Sequence, residues 1–268
     1  MGWNCCAVRK LAVLDLFSGI GGFSLGLGRT GGFSTVAFCE IDPFARRVLA
    51  KHWPDIPVYD DVRTTTAERL LADNIGSIDV VCGGFPCQDI SVAGRGAGIR
   101  GERSGLWFEM SRIIAETRPK FVIAENVAAL RSKGLDEVLG SLSEIGYDAE
   151  WHCIPASAVG APHRRDRIWI IAYPAIYGRE RIVREDCIVK ALYDDALETL
   201  DAWNGSSSPF SNWSKLLAQP PTCRMADGVS STVDIRPRLH AYGNAVVPQI
   251  PEIIGRALLR TLHTQELK

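Results

Sequence analysis

The sequence has no Cys-x-x-Cys pair, although it holds eight cysteines, and no apolar run long enough to cross a bilayer. The first absence removes a zinc knuckle or a thioredoxin-like redox site, both of which need paired thiolates at close spacing. The second removes a spanning helix, which needs about 18 apolar residues in a row. No charged segment followed by a short apolar run opens the chain, so free thiols in a reducing cytoplasm are expected, with no membrane partner. An excess of either charge is missing too, because 30 Lys and Arg stand against 31 Asp and Glu. Any surface for a polyanion must therefore be local. No internal repeat is visible.

What is present reads as an enzyme with a substantial core, since 46% of the residues are hydrophobic and 23% charged. From Leu11 onward, short apolar runs alternate with helical patterns, the signature of an α/β fold with a parallel sheet. Strands are expected at Leu11–Leu16, 35–39, 78–82, 121–124 and 168–172, and helices at Pro43–His52, Leu106–Thr117 and 246–262. The segment 204–221 holds Gly, several Ser and three Pro, a loop composition. Residues 1–178 and 237–268 are accordingly expected to form a catalytic domain, with 179–236 as a small second region.

Asp15-Leu-Phe-Ser-Gly-Ile-Gly-Gly-Phe23 lies between the first strand and a helical pattern, where glycines let the backbone turn and approach a ligand. Ser24 stands where a dinucleotide fingerprint would have its third Gly, which favours a nucleoside cofactor without a pyrophosphate. Glu40 ends the next strand, where such folds place a carboxylate for ribose hydroxyls, and Asp61-Val62 could meet an adenine amino group. Taken singly, these features describe an ordinary strand-to-helix turn and two surface acids.

Gly83-Gly-Phe-Pro-Cys-Gln-Asp-Ile-Ser91 follows another apolar run, so Cys87 sits at a strand end in a loop stiffened by Pro86. A thiol there is a candidate nucleophile, although a lone Cys is more often inert. Glu125 closes the strand 121–124, and a carboxylate after four apolar residues is costly to bury without a partner or a task. Pro162-His163-Arg164-Arg165-Asp166-Arg167 precedes a further strand, and alternation is expected to put Arg165 and Arg167 on one face.

In this order, these segments resemble the motif series of the DNA (cytosine-5)-methyltransferase family, together with Gly243-Asn244-Ala245-Val246-Val247-Pro248. The resemblance implies a Rossmann-like, S-adenosylmethionine-dependent methyltransferase sheet and a small target-recognition domain. It implies that Cys87 adds to carbon 6 of a flipped cytosine, that Glu125 meets N3, and that Arg165 and Arg167 hold O2. S-adenosyl-L-methionine would lie against Asp15, Phe17, Ser18, Gly19, Gly21, Gly22, Glu40, Ile41, Asp61 and Val62, with Pro86, Leu106, Asn244, Ala245 and Val246 completing the site. Gln88, Ser91, Arg95, Arg100, Arg103 and Arg164 would contact double-stranded DNA. A cytoplasmic monomer is expected, at the nucleoid or in the host of a phage; the sequence does not say whether a cognate restriction endonuclease exists, and no stable complex with one is expected.

Two departures stand out. His163 replaces a Gln that many members carry, and the segment between Arg167 and Gly243 is short for a recognition domain, so a small module within 179–236 or a partner is expected to read the sequence. The alternatives are a transfer-RNA cytosine methylase, whose Cys-Phe-Thr element is absent, and a catalytically silent DNA-binding relative. No metal is expected.

Overall fold

The computed structural model describes residues 9–86, 105–161, 164–177 and 245–266. Seven strands form one sheet in the order β3-β2-β1-β4-β5-β7-β6. They are β1 (Leu11–Leu16), β2 (Phe33–Cys39), β3 (Val58–Tyr59), β4 (Val80–Gly84), β5 (Phe121–Val127), β6 (Tyr147–Pro155) and β7 (Asp166–Pro174). The first five run parallel, whereas β7 is antiparallel to both β5 and β6. The expected wholly parallel sheet is therefore corrected to a mixed one. The reason lies in β6: its alternation of half-buried and exposed residues hides it from a search for apolar runs, and it forms a hairpin with β7 that reverses the latter.

The helices are α1 (Gly22–Arg29), α2 (Pro43–His52), α3 (Ala67–Ala72), α4 (Leu106–Thr117), α5 (Leu135–Glu144) and α6 (Gln249–Glu266). Asp42 starts α2 as anticipated, its carboxylate accepting from the amides of Phe44 and Ala45 while Pro43 fills the first turn. The last helix begins at Gln249 rather than Val246, because Pro248 bars the segment before it from helical pairing.

One face of the sheet packs Trp107, Met110, Ile113 and Ile114 of α4 and Leu135, Val138 and Leu142 of α5. The other packs Phe23 and Leu27 of α1 against Ile250, Ile253, Ile254, Ala257 and Leu258 of α6. Alternation sorts β1 between them, with Leu14 and Leu16 facing the first layer and Leu11 and Val13 the second. The chain moves outward from β1 through β2 to β3, then returns to lay β4 on the other side of β1. That reversal opens a crevice at the carboxyl ends of β1 and β4, the place where such sheets bind ligands.

Candidate active site

The turn after β1 is held in shape by its neighbours. Phe17, Gly19 and Gly21 all have positive φ, and the amide of Ser18 donates to the carbonyl of Cys39 at 3.1 Å. Glu40 locks two loops together, its Oε2 accepting from Gly19 N at 2.7 Å and its Oε1 from Asp42 N at 2.8 Å. Burial pushes the Glu40 carboxyl up, and these amides pull it back. A Cβ on Gly21 would lie 2.6 Å from the ring of Trp53, and one on Gly22 would lie 2.6 Å from the carbonyl oxygen of Val246. A Cβ on Gly19 would meet nothing within 4 Å, so the turn opens onto space there.

Phe17, Ser18, Gly19, Gly21, Gly22, Glu40 and Val246 are thus brought together, with Ala245 beside Val246. Ile41 follows on the rim and is 66% exposed, an apolar side chain with no cover. Asp61 and Val62 follow β3, where Arg112 of α4 donates to the carbonyls of Val62 and Thr65. Arg63 clasps the Asp61 carboxylate through Nε and Nη2 and lowers its pKa. Pro86 ends the described part of the β4 loop, and Leu106 begins α4 at the edge of the core. An open turn, an uncovered apolar side chain and two carboxylates fit a nucleoside whose base has an amino group. Asp15 differs from the rest because it is fully buried beneath the turn.

The second group gathers around β5. Glu125 is 8% exposed and directly opposite Gly84 of β4, where a Cβ would sit 3.0 Å from Glu125 Oε2. Gly84 therefore leaves the carboxyl its room. Arg167 Nε lies 2.9 Å from Glu125 Oε1. The reversed direction of β7 makes this contact: a parallel strand would carry its first residues to the opposite edge, away from the end of β5. Burial raises the Glu125 carboxyl, while Arg167 and then Arg165 pull it down.

Arg165 reaches this group by another route than expected. It precedes β7 with φ +34, so strand alternation does not place it. Burial and the charge of Arg167 lower its pKa, and Glu125 opposes them. Arg164 points outward, ion-paired to Asp166 at 3.0 Å. Cys87, Gln88, Ser91, Arg95, Arg100, Arg103, His163 and Asn244 lie outside the described residues, as does the expected recognition region 179–236.

Asn126, next to Glu125 in the motif series, was given no role of its own by the sequence. Its side-chain nitrogen donates to the carbonyl of Phe85 at 3.1 Å, and its oxygen accepts from Val127 N at 2.8 Å. It thereby ties the end of β5 to the backbone leading to Cys87. The sequence signal was an Asn directly after the apolar run 121–124 and Glu125; the structure buries it to 2%, where an amide must find partners. Among the described residues no cluster of His, Cys, Asp or Glu could hold a metal, and no helix is long and apolar enough to cross a membrane.

Comparison with known proteins agrees with this geometry. A family model described as C-5 cytosine-specific DNA methylase matches residues 11–198. The type II methyltransferase M2.BsuMI of Bacillus subtilis is 38% identical over 170 residues, 60% of this chain and 42% of that protein. The type II methyltransferase M.CviJI of Paramecium bursaria Chlorella virus IL3A is 38% identical over 172 residues, covering 63% and 45% respectively. The chain thus matches less than half the length of these relatives. The solved structure of the Entamoeba histolytica methyltransferase EhMeth has the same fold, with a TM-score of 0.62 at 15% identity, covering 95% of this chain and 99% of that one. With the match running through the turn after β1, the β4 loop, β5 and β7, the chain belongs to the C-5 cytosine-specific DNA methylase family.

Proposed function

We propose that the chain transfers a methyl group from S-adenosyl-L-methionine to carbon 5 of cytosine in double-stranded DNA, through a covalent adduct on Cys87. The observation that carries this reading is the buried Glu125 carboxyl at the end of β5, paired with Arg167 and facing the strand that leads to Cys87. When bound, the cofactor supplies an electrophilic methyl. The turn from Phe17 to Gly22 would cradle it, with Glu40 at the ribose, Asp61 and Val62 at the base, and Ile41, Pro86, Leu106 and the segment Asn244 to Val246 around it. Asp15 supports the turn from below.

Carbon 5 of cytosine is a poor nucleophile. Attack of the Cys87 thiolate on carbon 6 breaks the ring double bond and moves electron density toward carbon 5 and N3. Glu125, with its raised pKa, gives N3 a proton or a hydrogen bond, and holds the exocyclic amine. Arg165 and Arg167 place fixed positive charge at O2 and favour the thiolate. After transfer, a base or water takes the proton on carbon 5, and Cys87 is expelled as a thiolate while the double bond between carbons 5 and 6 re-forms. Carbon 6 is hidden in a duplex, so the base must be flipped out, with Gln88, Ser91, Arg95, Arg100, Arg103 and Arg164 holding the backbone. The protein acts as a cytoplasmic monomer, as in restriction-modification, and forms no stable complex with any cognate endonuclease.

Duplex DNA containing 5-fluorocytosine tests the proposal, because fluorine blocks loss of the carbon 5 substituent and freezes the adduct. With cofactor present, wild-type protein is expected to form a denaturant-resistant complex and Cys87→Ala none. Base-resolution sequencing of host DNA after expression should show methylcytosine in one short context. Modified transfer RNA with unmodified DNA would overturn the substrate assignment.

A further inference from the structure

Asp15 belongs to the cofactor turn by sequence, yet it is fully buried and out of reach of any ligand on the surface of that turn. Its Oδ2 accepts from Ser24 Oγ at 2.7 Å and from Ser24 N at 3.3 Å, and Thr35 Oγ1 donates to Ser24 Oγ at 2.8 Å. Ser24 lies in the first turn of α1, whose cap residue Gly21 has no side chain to satisfy the free amides. A carboxyl from β1 therefore does the work of a helix cap. Its other oxygen, Oδ1, is buried with no hydrogen-bond partner among the described residues.

We propose that Asp15 is a positioning residue that senses cofactor charge: it holds the first turn of α1 without touching the cofactor, and its carboxylate form favours the cationic methyl donor over the neutral-sulfur product. The inference rests on the cofactor site proposed above. Burial pushes this carboxyl up to about 7, against the hydrogen bonds from Ser24 and with the charge of Glu40. Near neutral pH it is therefore divided between its two forms. Among the described residues, the ionisable neighbours facing it are Glu40 after β2 and the Cys82 thiol, its partner across the β1–β4 pair. From α1 it meets Ser24, and the segment 245–251 that lies on α1 contains no ionisable residue.

S-adenosylmethionine carries one positive charge more than S-adenosylhomocysteine, because its sulfur is a sulfonium. A cation arriving above a half-protonated carboxyl lowers its pKa. The Asp15 hydroxyl then gives its proton to the buffer, and the carboxylate remains. By the same linkage the methyl donor binds more tightly as pH rises through 7, while the product gains less. Transfer of the methyl thus removes the charge that Asp15 favours and eases product release.

Calorimetry of the full chain tests this, titrating each of the two ligands at pH 7 in two buffers of different ionisation enthalpy. Wild-type protein is expected to release a fraction of a proton on binding S-adenosylmethionine and distinctly less on binding S-adenosylhomocysteine. Affinity for the former should rise by up to about tenfold between pH 6 and pH 8, the size of a one-unit pKa displacement. Asp15→Asn should abolish both effects while circular dichroism shows a folded protein, and Ser24→Ala, which removes a bond favouring the carboxylate, should keep the proton release and move the pH dependence to higher pH. If Asp15→Asn fails to fold, the wild-type and Ser24→Ala titrations still decide. Equal heats in both buffers, release kept in Asp15→Asn, or a pH dependence unmoved in Ser24→Ala, would overturn the inference. Failure of wild-type protein to bind either ligand would instead remove the cofactor site on which it stands.

Discussion

Glu125 is poised between two opposed influences. Burial favours its protonated form, and the two guanidiniums beside it favour the ionised one. Replacing it with Gln keeps the shape and a hydrogen-bond donor but removes the transferable proton. Glu125→Gln is expected to lower turnover by roughly 10²- to 10⁴-fold, the range for a lost general acid. Cofactor binding should change little, and radiolabelled methyl incorporation beside calorimetry would show this split. Because the proposed role uses the protonated form, turnover should lose one acid-dependent component as pH rises through the raised pKa, and the variant should lack that limb. Arg167→Ala leaves Glu125 buried without its close partner. Its carboxyl should move further up, shifting the same limb to higher pH in a pH–rate profile.

At the scale of elements, α1 is unusual in having glycine at both 22 and 26, two positions that share a helix face. Gly22 admits the carbonyl of Val246, and a Cβ on Gly26 would collide with the carbonyl of Pro248. The bare stripe lets the segment before α6 lie directly on α1. Gly26→Ala should cost about 1–3 kcal/mol, as overpacking does, despite the better helix propensity of Ala. Chemical denaturation would measure it, and weaker cofactor binding should accompany it.

Several elements were legible from residues alone. The capped start of α2, the glycine turn and the apolar runs of β1 and β5 follow local rules, and Cys87, Glu125, Arg165 and Arg167 were chosen by chemistry and motif order. The hairpin of β6 and β7 was not legible as a reversal, because direction depends on which strands pair and no short window records that. Asn126 and Gly84 escaped notice for a similar reason. Their work is done across strands, on the Phe85 carbonyl and the Glu125 carboxyl. Arg165 was chosen for the right neighbourhood on an argument its positive φ does not support.

At the scale of the whole fold, the Glu125 group and the turn after β1 are both built at the carboxyl edge of one sheet, but they depend on different parts of the chain. The first needs β7 to return beside β5, and the second needs the segment after Ala245 to return to α1. A chain ending at residue 244 lacks Ile250, Ile253, Ile254, Ala257 and Leu258, all buried against the α1 layer. It is expected to expose that layer, bind a hydrophobic dye and fail to bind cofactor, as fluorescence would report.

The glycine stripe of α1 also bears on the order in which the fold closes. Its occupants, Val246 and Pro248, follow Gly22 and Gly26 by roughly 220 residues, so the seat fills only through contacts of very long sequence separation. Closing a long loop costs more entropy than closing a short one, which delays such contacts behind local ones. The turn after β1 would then be among the last parts of the fold to set.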